Sequence, residues 1–137
     1  MKFNYSQYPT PDGKTIFRPS IPILLKNGKH FILVEAVIDS GSDFTIFPLE
    51  IAGALNIKLD KNSKSNFLGA GSNPFTVYHS PVKIEHVLRQ NGFRTLTWKT
   101  NVYFAESQPA ILLGNKGFFD QFVVTIDGKK REVSINN

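Results

Sequence analysis

Hydrophobic and polar positions alternate with a period of two along most of this chain, and Gly, Pro and Asn signals break the alternation into short segments. Arg18 to Lys26 reads as a strand on the spacing of Ile21, Ile23 and Leu25, with Pro19 and Pro22 pointing to an edge or a bulge. Asn27-Gly28 reads as a hairpin turn, and His30 to Ile38 as the returning strand. The unbroken run Phe31-Ile32-Leu33-Val34 predicts that this strand is buried on both faces. Thr45 to Phe47 is a further short strand. Pro48 opens a short helix whose Leu49, Ile51, Ala52 and Leu55 recur at helical spacing and which ends near Asn56. After a polar connection from Leu59 to Asn66, Phe67 to Tyr78 predicts a hairpin with a Gly-rich tip, to which Gly69 and Gly71 supply unusual dihedrals. Ser80 to Leu88 alternates again, Asn91-Gly92 marks another turn, and Phe93 to Ala105 is a long β-rich run. Phe122 to Ile126 and Glu132 to Ile135, joined through Asp127-Gly128, form a closing hairpin. The polar, turn-rich residues 1–15 read as an arm that packs on the surface or on a partner subunit. Many hairpins and few helices predict an all-β closed or sandwich fold.

Composition narrows this picture. A chain of 137 residues fits one domain, spanning 1–137, and that length buries roughly two-thirds of its unfolded surface. Apolar residues make up 41% and charged residues 20%, a globular rather than disordered balance. The absence of cysteine excludes disulfides and thiolate metal sites. The first residues lack the apolar core of a signal peptide, and no run approaches the length of a membrane helix. The expectation is a soluble, cytoplasmic protein with no membrane partner. The net charge of +5 is scattered apart from Lys129-Lys130-Arg131, which reads as solubility rather than a nucleic-acid interface. His30, His79 and His86 share no metal-ligand spacing and read as surface or strand-face residues, so no metal or cofactor is expected.

The chemistry concentrates where the strand ending at Ile38 runs into Asp39-Ser40-Gly41-Ser42-Asp43 and turns apolar again at Phe44. A carboxylate between two buried strands is costly unless it is paired, which places Asp39 at the floor of a cleft. On the tripeptide Asp39-Ser40-Gly41 alone, an Asp that only caps backbone groups at a strand end is an equal alternative. The Gly69-Ala70-Gly71 cluster lacks a following helix, which argues against a phosphate loop and leaves an ordinary hairpin turn as the plain reading.

Val37-Ile38-Asp39-Ser40-Gly41-Ser42 resembles the active-site signature of aspartic peptidases. Carried once in a short chain, it resembles the retropepsin-like branch, in which each subunit supplies one Asp. Ala110-Ile111-Leu112-Leu113-Gly114 resembles the apolar-Gly strand that passes beside the active loop in that fold and leads into a short helix. The resemblance implies a retropepsin-like closed β-barrel, or acid-protease fold, with one or two short helices. It implies an aspartic endopeptidase in which Asp39 of two subunits activates water on a peptide or protein substrate, hence a homodimer. Ser40, Gly41, Ser42 and Asp43 form the active-site loop, with Ser40 bonding across the dimer axis and Asp43 binding substrate main chain or a basic group. Gly69, Ala70, Gly71 and Phe75 belong to the flap. Ile46, Phe75, Tyr78 and Ile111 wall the apolar subsites, and Leu113 and Gly114 pack against the loop. Where the family often has Arg after the Gly, this chain has Asn115, with Lys116 or Arg18 as substitute partners for Asp43. A catalytically silent peptide-binding module of the same fold is the first alternative, and an unrelated β-barrel that binds a ligand or nucleic acid is the second.

Overall fold

Alternation decides most of the backbone, and the chain, a computed structural model covering residues 1–137, is built almost wholly of short strands. In order these are β1 (Lys2–Asn4), β2 (Ser6–Pro9), β3 (Thr15–Arg18), β4 (Ser20–Asn27), β5 (His30–Ile38) and β6 (Ile46–Pro48). The helix α1 (Leu49–Ala54) and a single 3-10 turn (Lys61–Ser63) follow. Then come β7 (Lys64–Leu68), β8 (Pro74–His79), β9 (Ile84–Leu88), β10 (Leu96–Thr100), β11 (Tyr103–Ala105), β12 (Ile111–Leu113), β13 (Val123–Asp127) and β14 (Glu132–Asn136). The architecture is all-β with one short helix.

Nine strands form one sheet in the order β10-β9-β4-β5-β12-β6-β11-β8-β7. Its centre departs from simple hairpins. β12 runs parallel to β5, with Ile111, Leu112 and Leu113 opposite Ala36, Val37 and Ile38, and antiparallel to β6 at Leu112–Ile46. A strand distant in sequence is thereby inserted between β5 and β6, and the loop joining them must pass around its end. Pro22 sits in the half of β4 that pairs only with β5, because β9 joins β4 from Leu24 onward. Its missing N–H therefore costs no ladder bond on the open side. Asn27 pairs with His30, so Gly28 and Lys29 form the turn, and Gly28 takes the positive φ of 58° that it tolerates.

The main core gathers the inward residues of the sheet, α1 and the closing hairpin, among them Ile21, Ile23, Leu25, Phe47, Leu55, Phe104, Phe118 and Ile135. Four expectations change against it. β5 is not buried on both faces: Phe31 and Leu33 are 68% and 69% exposed, while Ala36 and Ile38 point inward and are buried. No layer covers the outer face of its first half. His86 faces inward and is fully buried, its ring stacked on Trp98 at 4.9 Å. The polar connection is shorter than expected, because β7 starts at Lys64. After Gly114 the chain forms turns, not a helix. Gly117 adopts φ +100°, outside helical geometry, and its N–H is taken by Asp120 Oδ1 at 2.9 Å.

Residues 1–15, read as an arm, are largely strand. β1 adds to β14 in a three-stranded sheet of order β1-β14-β13, and the Met1 amine donates to the Ile135 carbonyl at 2.8 Å. β2 and β3 form a separate hairpin, tied back by Tyr8–Ser20 and Ser6–Glu35 hydrogen bonds.

Candidate active site

β5 delivers Asp39 at its end, and the pairing with β12 continues one step further because Asp39 N–H donates to the Leu113 carbonyl at 3.0 Å. The chain then turns tightly. Gly41 N–H donates to Asp39 Oδ1 at 2.9 Å, and Ser42 N–H to the Asp39 carbonyl at 3.2 Å. One carboxylate oxygen is thus aimed by the loop's own backbone. The Ser42 hydroxyl donates to the Phe44 carbonyl at 2.7 Å and closes the loop from its other side.

Gly114 explains why the strand beside this loop must end in glycine. A Cβ there would fall 2.5 Å from the Phe44 carbonyl carbon and 2.8 Å from the Ser42 carbonyl oxygen. Only a residue without a side chain lets the two backbones meet. Past Gly114 the segments zip together: Asn115 N–H donates to Ser42, Lys116 N–H to Asp43, and Thr45 N–H back to Lys116. Buried Thr45 adds its hydroxyl as acceptor for Gly114 N–H at 3.2 Å.

A cleft of about 800 Å³ opens above the loop and beneath the β7–β8 hairpin. Asp39, Gly41, Ser42 and Asp43 form its floor. Ile46, Phe75, Gly69 and Ala70 line it as expected positions, whereas Ser40 and Gly71 are exposed and do not. Ile111 does not face the cleft. It is buried in the core, and its neighbour Leu112 takes the wall, because successive strand residues point to opposite faces. Tyr78 also points elsewhere, donating its hydroxyl to Glu106 at 2.8 Å, a bond that raises its pKa. Phe44, Phe67, Leu68, Asn66 and Gln108 join the lining unpredicted. Only Phe67 among them was legible beforehand, since a tip at Gly69–Asn73 sets it opposite Phe75. The hairpin is present, but its left-handed residue is Ser72, at φ 59°, and neither Gly69 nor Gly71 has a positive φ. The net charge of the chain is +5, yet Asp39 and Asp43 are the ionisable residues lining the cleft.

A solved structure shares the fold that carries this loop and hairpin. The retroviral protease-like domain of Ddi1 from Leishmania major superposes with a TM-score of 0.57 at 16% identity, covering 88% of this chain and 89% of that one. The fold is retropepsin-like. The EIAV protease complexed with the inhibitor HBY-793 aligns at 18% identity over 72% of this chain and 82% of that one, with a TM-score of 0.49. No family model and no curated protein matches the sequence.

Within the retropepsin-like fold, the residue after the apolar-Gly strand takes an unanticipated part. The Asn115 side-chain amide donates to two loop carbonyls, Ser40 and Ser42, each at 3.1 Å. The planar amide has two N–H groups to offer the two carbonyls, so Asn115 ties the loop without a salt bridge. Neither expected substitute pairs with Asp43. Lys116 lies 4.0 Å from Asp120, and the Arg18 guanidinium sits over the Tyr8 ring at 5.1 Å. No ion pair of the chain involves Asp43, which remains exposed.

Proposed function

We propose that two copies of this chain form an aspartic endopeptidase, each supplying one Asp39. The observation that carries this reading is the Asp39 carboxylate, oriented by Gly41 N–H at the floor of a peptide-sized cleft under a hairpin. The retropepsin-like fold supports it. Two carboxyl groups a hydrogen bond apart cannot both ionise, so one keeps a proton. The ionised partner takes a proton from water as its oxygen attacks the peptide carbonyl carbon. The protonated partner gives its proton to the carbonyl oxygen. Collapse of the resulting diol breaks the C–N bond as the leaving nitrogen is protonated. A two-fold axis through the loops brings the same residues together from both copies. Exposed Ser40 then reaches across the axis, and Asp43 faces substrate main chain or a basic group of the other copy. The substrate binds as an extended strand, with apolar or aromatic side chains against Ile46, Phe75 and Leu112.

Incubation with a peptide library, beside the Asp39→Asn variant and a sizing column, tests this. The expected result is cleavage by a dimer, with a bell-shaped pH profile on the acid side and a loss of about 10²–10⁴-fold on Asp39→Asn. Cleavage at the normal rate by Asp39→Asn overturns the assignment. Peptide binding without cleavage by either protein selects the silent binding module instead.

A further inference from the structure

The hairpin over the cleft has a hydrophobic cluster of its own, separate from the main core. Buried Ile46 and Val77 are ringed by Phe44, Phe67, Phe75 and Tyr103. Phe44 belongs to the acid loop, directly after Asp43, and its backbone is held from below by the Ser42 hydroxyl and by a bridge to Lys116. Its ring stacks on Phe67 of β7, with centroids 5.1 Å apart and planes 25° apart. Tyr103 closes the triangle edge-on, 5.1 Å from Phe44 and 4.8 Å from Phe67. Phe67 also meets Phe75 across the hairpin at 6.1 Å.

β7 is the outermost strand of the large sheet and pairs only with β8. Four of its five residues are exposed, and Phe67 is the exception. Apart from the ladder to β8, one side chain therefore anchors the strand to the body of the molecule. The anchor point is the residue that follows the two acids. Beyond Leu68 the tip is held by two backbone bonds, Gly69 N–H to the Asn73 carbonyl at 3.2 Å and Ser72 N–H to the Gly69 carbonyl at 3.0 Å.

We infer that Phe67 is a positioning residue that ties the stalk of the hairpin to the acid loop through Phe44, confining opening over the cleft to the tip at residues 69–73. The consequence for turnover rests on the peptidase reading. The mechanical link does not. With the stalk fixed, the loop and the cleft wall move as one body, and a disturbance of β7 reaches the backbone that aims Asp39.

Amide hydrogen exchange on the full chain tests the link, comparing wild type with Phe67→Ala, Phe67→Leu, Phe67→Tyr and Phe44→Leu. In the wild type, tip amides exchange at least about tenfold faster than the β7–β8 ladder. Aromatic contacts are each worth about 2- to 10-fold, so Phe67→Ala speeds exchange at least about tenfold in β7 and also at Gly41 and Ser42, with Ile23 and Leu25 in the core unchanged. Phe67→Tyr restores the wild-type pattern. In the Phe44→Leu/Phe67→Ala double variant the Phe44→Leu change adds less than it does alone, because the Phe44–Phe67 contact is already gone. In turnover, Phe67→Ala lowers kcat/KM at least about tenfold, and Phe67→Tyr rescues it. Faster exchange confined to β7 and β8, with Gly41 and Ser42 unchanged, overturns the inference. If Phe67→Ala loosens the core as well, the milder Phe67→Leu decides on the same criterion. The expected exchange pattern in a protein that cleaves no peptide defeats the peptidase reading and leaves the link standing.

Discussion

The two hydrophobic clusters of this molecule are built from similar residues and put to different ends. The larger holds 21 buried residues, and at its aromatic centre His86, Trp98 and Phe118 are buried. Trp98 stacks on His86, meets Phe118 and Phe122, and donates its indole N–H to the Gly117 carbonyl at 2.9 Å. The smaller holds three buried residues, and three of its four aromatic rings, Phe44, Phe67 and Phe75, stay half-buried because they are also the wall of the cleft. A closed core gains the full transfer free energy of each side chain. An open one gives up part of it and keeps apolar surface available for a ligand. Burial is concentrated in one cluster and open apolar surface in the other, and Gly114 joins them, with Leu113 in the first and Phe44 in the second.

Breaking that junction has the largest expected effect. Gly114→Ala drives a methyl group into two backbone segments and costs about 5 kcal/mol, the exceptional end for a single change, seen as loss of a cooperative urea transition. Removing a ring from each cluster sharpens the contrast. Phe104→Ala, in the closed core, lowers unfolding free energy by about 3–5 kcal/mol, whereas Phe67→Ala lowers it by about 1–2 kcal/mol, both read from denaturant midpoints. Equal costs would show that the small cluster carries stability as well.

Acid probes the larger cluster chemically. Burial lowers the His86 pKa from 6.5 to about 4, opposed by the bond between Nδ1 and the Ile84 carbonyl, and Nε2 has no partner. The unfolded chain takes up this proton near pH 6.5 and the folded chain only near pH 4. Stability is therefore fully present above pH 6.5 and falls by up to about 3 kcal/mol as pH drops toward 4. Urea midpoints at pH 7 and pH 4.5 should differ accordingly, and His86→Leu should flatten the dependence. Enzymatic activity on the acid side would work against this limit. The smallest effect is expected at Asn115→Ala, which frees the Ser40 and Ser42 carbonyls at an exposed site for about 1 kcal/mol, measured as a shift of the melting midpoint.

Much of the candidate site was legible because its signals are local. Asp39 after an apolar strand, Gly41 in a tight turn and Gly114 after Ile111-Leu112-Leu113 each declare a backbone requirement within a few residues. Asn115 was legible only as a departure, since its two acceptors lie more than seventy residues earlier in the chain. Ile111 was chosen over Leu112 because alternation says that neighbours face opposite ways without saying which way is out. That choice is made when β12 slides between β5 and β6.

The amino-acid order by itself determined the all-β class, the hairpins, the short helix after Pro48 and the acid loop, because periodicity, proline and glycine act over a few bonds. Tertiary structure decided which face of β5 is wet, that the segment after Gly114 turns instead of coiling, and that Phe44 and Phe67 stack in the wall of the cleft. Those outcomes depend on strands paired far apart in the chain, where each side chain's surroundings come from residues that local patterning does not sample.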